Sequence, residues 1–323
     1  MLSTGRLNIN NSAALSSGTL TISGVSTLGN TTSAAITLTD NPPQIWNANL
    51  TFAGSQNLNL GTGSVTLGAN RQVTVSSNTL TVGGPIGGNY SLTKAGSGVL
   101  ELSGSNTFTG ATTVSAGKLL VDGWLTNSAV SVNSGGTLGG TGSLANVTVN
   151  AGGHLAPGDL LGVMHLSGSL TLLANAVMDY DLDTPSTSDE VLMPTGQLIL
   201  SNQRFADFHF TWSANFGPGT YDLINFRSSS GSLGTNTSGT IDGLPATLSI
   251  DPVQHDLVLT VTPEPSTLTL LAAGALVLVG YGWRRRTARR MAKPTASAQA
   301  DAPAILSFPS HRLYQASAAR RAA

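Results

Sequence analysis

The chain has 323 residues, 15 Lys and Arg against 16 Asp and Glu, 38 glycines and no cysteine. The absence of cysteine excludes a disulfide framework, Cys-ligated zinc, iron–sulfur clusters and a thiol nucleophile. With 10% charged and 5% aromatic residues, no segment interleaves bases and aromatics as a nucleic-acid groove does, so no nucleic-acid partner is expected.

The net charge of −1 joins two unlike regions. Through Trp283, six basic residues face fifteen acidic ones, a balance of −9; beyond it, nine basic residues face Asp301 alone, a balance of +8. Residues 1–158 consist of short β-branched runs separated by Gly, Asn and Ser, such as Arg71–Val75 (RQVTV), Thr79–Val82 (TLTV), Lys118–Val121 (KLLV) and Asn146–Val149 (NVTV). Apolar residues alternate with Thr or Ser, the period-two signal of strands with one buried face. Asn11–Leu20 (NSAALSSGTL) recurs loosely as Asn127–Leu138 (NSAVSVNSGGTL). A unit of that size cannot bury its own apolar face and must stack on its neighbours, which predicts a solenoid rather than a sandwich. Met1–Asn30 has no basic segment followed by an apolar one, so no secretory leader is read there. The repeat array is therefore expected to be truncated at its N-terminus.

Leu92–Asp122 (LTKAGSGVLELSGSNTFTGATTVSAGKLLVD) resembles the autotransporter-associated β-strand repeat. Lys94, Gly96, Gly98, Leu100, Leu102, Gly104, Asn106, Thr107, Phe108, Thr109, Gly110, Val114, Gly117 and Leu119 fall in the register of that motif. The resemblance implies an all-β fold, a right-handed parallel β-helix of the kind used by exported surface proteins. Residues 159–262 are read as the last rungs and a β-rich C-terminal cap, which a solenoid needs because an open end exposes strand edges and apolar core.

Residues 263–290 read PEPSTLTLLAAGALVLVGYGWRRRTARR. An uncharged apolar run, 268–283, ends in Tyr281 and Trp283 and is followed by Arg284, Arg285, Arg286, Arg289 and Arg290. The run predicts one short transmembrane helix. Its arginines lie on the cytoplasmic side and the acidic β-rich part outside. The order Pro263-Glu264-Pro265, apolar helix, arginine cluster is similar to the PEP-CTERM sorting signal. That resemblance implies recognition by an exosortase-type enzyme, with Pro263, Glu264 and Pro265 as substrate motif. It also implies inner-membrane anchoring before processing and a final place at the cell surface or in extracellular matrix. Residues 291–323 read as a disordered basic tail.

Asp179, Asp181, Asp183 and Glu190 stand at positions 1, 3, 5 and 12 of an EF-hand-like spacing, a weak Ca²⁺ signal. Thr184 occupies the position where the turn needs Gly, and Pro185 follows. The favoured reading is a strand, Val177–Leu182, with Met178, Tyr180 and Leu182 inward and the aspartates outward. The histidines, His154, His165, His209, His255 and His311, show no i, i+4 pairing and no evident carboxylate partner, so no metal is expected. Asp40, Glu101, Asp122 and Asp159, with Arg71, Lys94 and Lys118, are scattered and point to no catalytic pair. No cofactor is expected. The expected function is a non-enzymatic cell-surface or matrix protein, structural or adhesin-like, with extracellular polysaccharide or neighbouring surface proteins as partners. The alternative is a carbohydrate-active β-helix enzyme, a polysaccharide lyase or glycosidase.

Overall fold

The computed structural model describes residues 1–16, 18–264 and 276–279. Every named strand lies in the compact unit Met1–Glu264. The fold is all-β with parallel sheets, a pairing pattern consistent with a β-helix.

The chain visits three faces in rotation. Leu92–Ala95 lies on one, Val99–Leu102 on the second and Ser105–Phe108 on the third; Thr112–Val114, Gly117–Val121 and Trp124–Leu125 then repeat the circuit. Each strand pairs in parallel with its counterpart one circuit later. On the second face, Leu58, Leu80, Leu100, Leu119, Leu138, Leu155, Met178 and Phe208 stand in one register column. All eight are buried. Each such apolar side chain contributes about 1.5–3 kcal/mol on burial, so the column is a principal source of stability. Alternation places the Thr, Ser and charged residues between them on the outer surface.

The motif residues of 92–122 have separate physical jobs. Lys94 is buried, and its Nζ donates to the carbonyl oxygens of Ala95 (3.0 Å), Gly96 (2.8 Å) and Ala116 (3.0 Å). Burial lowers its pKa from 10.5 to about 8. Asn106 accepts from the Ile86 amide (3.1 Å) and donates to the carbonyls of Gly104 (3.0 Å) and Trp124 (3.2 Å), joining three successive circuits. Gly96 (φ +78°) and Gly117 (φ +65°) turn the corner between the first and second faces. A Cβ at either would lie 2.3 Å from a backbone carbonyl oxygen of the preceding circuit, so glycine is required there.

The parallel ladders run on past residue 158 to Phe208–Trp212 and Gly219–Leu233. There the pattern changes. Gly219–Leu233 pairs antiparallel with Asp256–Val261, which pairs with Leu244–Asp251, itself paired with Ser238–Ile241. This meander pairs with Gly219–Asn225 of that strand, an edge that unpaired would expose a row of N–H and C=O groups.

Among the described residues no helix is long and apolar enough to cross a membrane. Of the expected transmembrane segment 268–283, residues 276–279 are described, as a helical turn. The rest of that segment, Pro265, the arginine cluster 284–290 and the tail 291–323 lie outside the described residues.

Candidate functional site

Strand Val177–Leu182 alternates as its sequence predicts: Met178, Tyr180 and Leu182 are buried while Asp179 and Asp181 face outward, with Asp183 just beyond. The neighbouring circuits supply the partners of these carboxylates. In register, Asp179 faces His209, Tyr180 faces Phe210 and Asp181 faces Thr211. On the other side, His154 opens the strand His154–Pro157, whose Leu155 pairs with Met178.

Asp179 lies between two imidazoles. His154 Nδ1 donates to its Oδ2 at 2.8 Å and His209 Nδ1 donates to its Oδ1 at 3.1 Å. An ionised carboxylate only accepts, so both Nδ1 atoms carry the hydrogen in this arrangement. The two rings stand 6.1 Å apart between centroids. The side chains of His154 and Asp179 are each 32% exposed and that of His209 is 59% exposed, so the trio is open to solvent on one side. Sequence reasoning missed this group because its members are 25 and 30 residues apart. The outward phase of Val177–Leu182 was legible; which residues fall beside it was not.

The same face holds a cleft of about 300 Å³ lined by Lys118, Asp159, Asp179, Asp181, Asp189 and His209, among others. Lys118 Nζ meets Asp159 Oδ1 at 3.2 Å across its rim. Asp189 is buried; its Oδ1 accepts from the Gly162 amide (2.8 Å) and its Oδ2 from the Asp181 amide (2.9 Å). Burial raises its pKa to about 7, against those two amides, which favour the charged form. Asp189 therefore braces backbone.

The four residues of the Ca²⁺ spacing separate into two places. Asp181 accepts from the Thr211 hydroxyl. Asp183 accepts from the Ser213 and Thr187 hydroxyls and the Asn215 amide, and these bonds hold its carboxyl below the usual range. Glu190 lines a different cleft beside Asp222, where burial and then the charges of Asp222 and Asp256 raise its pKa. Of the scattered residues, Glu101 accepts from Thr81 (3.0 Å) and Asp122 from the Thr141 amide (3.0 Å).

At the end of the unit Met1–Glu264, strand Asp256–Val261 is followed by a backbone bond from the Thr262 amide to the Pro245 carbonyl (2.9 Å). Pro263 and Glu264 then emerge exposed and outside any strand.

A family model for the passenger-associated-transport repeat matches residues 92–121, and one for the PEP-CTERM protein-sorting motif matches residues 261–286. The adhesin BmaC autotransporter of Brucella suis biovar 1 (strain 1330) is 39% identical over 106 residues, 31% of this chain and 3% of that protein. An extracellular serine protease of Serratia marcescens is 38% identical over 81 residues, 25% of this chain and 8% of that protein. The chain thus spans a small fraction of the length of these relatives. It is a protein that carries a passenger-associated-transport repeat and, C-terminal to it, a PEP-CTERM protein-sorting motif.

Proposed function

We propose that this chain is an exported bacterial envelope protein. Its body, a right-handed parallel β-helix, serves as a stiff, non-enzymatic surface or matrix element of adhesin-like character. The observation that carries this reading is the junction at residues 261–264. The sorting motif begins where the strand Asp256–Val261 ends, and Pro263 and Glu264 stand exposed immediately after the Thr262–Pro245 backbone bond. A processing enzyme needs an extended, accessible substrate, and paired prolines hold Glu264 in that form. An exosortase-type enzyme would recognise Pro263-Glu264-Pro265, with the apolar run 268–283 in the inner membrane and Arg284, Arg285, Arg286, Arg289 and Arg290 on the cytoplasmic side.

The matched adhesin supports a surface role. The polar side chains already committed to backbone support a non-enzymatic one: Asp189 braces two amides and Lys94 three carbonyls. Repeated Thr, Ser and Asn on the outer faces can bind glycans or neighbouring surface proteins weakly and many times over.

Mass spectrometry of the exported protein tests the reading. A C-terminus between residues 263 and 267 is expected. Mature envelope-bound protein that keeps Arg284–Arg290 would point instead to a plain membrane anchor.

A further inference from the structure

We propose that His154, Asp179 and His209 form a binding site for a divalent first-row transition metal of the zinc type. They lie on three successive circuits of one face. The ligand atoms, one per residue, lie within 4.8 Å of one another. That is wider than the roughly 3.3–3.5 Å between ligands set tetrahedrally at 2.0–2.1 Å from one ion. Closing the difference calls for rotation of the imidazoles, of which His209 is exposed and His154 partly so. Two imidazoles with one carboxylate is a donor set that suits zinc and its neighbours, with room for water at a further position. In the hydrogen-bonded form, two Nδ1 hydrogens point at a single carboxylate; an ion held by both Nδ1 atoms and the carboxylate would take their place, each ring then carrying its hydrogen on Nε2.

The surroundings favour a cation. Asp181 lines the adjoining cleft with Asp179, together with Asp159, which is paired with Lys118, and the buried Asp189. Calcium fits less well, because it needs six or more oxygen ligands. The nearest further carboxylates, Asp181 and Asp183, already accept hydrogen bonds from Thr211 and from Ser213, Thr187 and Asn215. A bound ion would tie His154–Pro157, Val177–Leu182 and Phe208–Trp212 together across the last circuits of that sheet. None of this depends on how the chain is sorted.

The test uses the full-length protein in detergent, stripped with chelator and then equilibrated with Zn²⁺ at about pH 7.5, where free imidazole is mostly neutral. One zinc per chain is expected by elemental analysis. H209A and H154A should each weaken binding by about tenfold or more, since each removes one of three ligands. H255A should leave binding unchanged. Co²⁺ in place of zinc should give visible absorption bands in the wild type that H209A lacks. Thermal melts should show a zinc-dependent rise in the wild type and none in H209A. If H209A does not fold, H209Q replaces it and keeps a polar side chain on the outer face. Absence of bound zinc, or equal affinity in the H154A/H209A double variant, would overturn the proposal. Displacement of zinc by equimolar Ca²⁺ would also overturn it and assign the cation to carboxylate oxygens.

Discussion

The circuits around Leu92–Val121 and those from His154 to Trp212 use the same three-sided path but are held together differently. In the earlier circuits, paired residues are about 20 apart, as in Thr81 and Glu101. In the later ones they reach 30, as in Asp179 and His209. On the second face the short circuits carry aliphatic side chains such as Leu100 and Leu119, while Phe108 is buried on the third. Their corners are satisfied by two buried polar residues, Lys94 and Asn106. Wider circuits are filled by aromatic rings: Tyr180 stacks at 6.4 Å on Phe208 and at 6.3 Å on Phe210. The Tyr180 hydroxyl donates to the Leu223 carbonyl of the following circuit (3.1 Å). One architecture thus tolerates a change in circuit length when the filler and the cross-bracing change with it.

That contrast can be broken at four places. The largest effect is expected at Phe208, whose truncation as F208A removes one buried ring of the Tyr180–Phe208–Phe210 cluster. A loss of about 3–5 kcal/mol in denaturant unfolding is expected. A loss under 1 kcal/mol would show that the wide circuits do not rely on their rings.

Next comes K94M, which leaves the carbonyls of Ala95, Gly96 and Ala116 without their donor. A loss of about 3 kcal/mol is expected, since orphaned buried acceptors cost 1–3 kcal/mol. The pH dependence gives an independent reading. Burial depresses the folded pKa of Lys94 to about 8, so between about 8 and 10.5 the unfolded chain binds more protons than the folded one. Stability of the wild type should therefore rise across that window relative to K94M. A flat difference between the two urea midpoints would contradict it.

N106A should cost about 1–3 kcal/mol, by stranding the Ile86 amide and removing one of the two donors to each of the Gly104 and Trp124 carbonyls, which keep their backbone partners. Amide exchange would locate the damage: protection should fall first at Ile86 and at the circuit ending in Trp124. The smallest effect is expected at Trp124 itself, which is 63% exposed. W124A should change stability by less than about 0.5 kcal/mol. A larger loss would mean that packing on the third face extends outward beyond the buried column.

Much of this molecule was legible from local pattern. Alternation in Val177–Leu182 assigned its inner and outer residues correctly, because the strand period depends only on backbone geometry. The motif at 92–121 announced stacked circuits, and the glycines at 96 and 117 marked corners where a Cβ has no room. The change to antiparallel pairing after Gly219 was anticipated only as a β-rich cap, since pairing direction is set by which strand is free at the end of the stack.

The His154–Asp179–His209 group shows where sequence reasoning stops. Each residue's outward orientation follows from its own strand. Their meeting depends on the lengths of the two intervening circuits, 23 residues in the Leu155–Met178 register and 30 in the Asp179–His209 register. Those lengths are set by corner conformations and core filling, and one residue more or fewer in a strand would reverse its faces. Sequence by itself determined that this chain stacks parallel strands and carries a sorting motif. Tertiary structure alone decided which polar side chains share a surface, because neighbours along the stack are far apart along the chain.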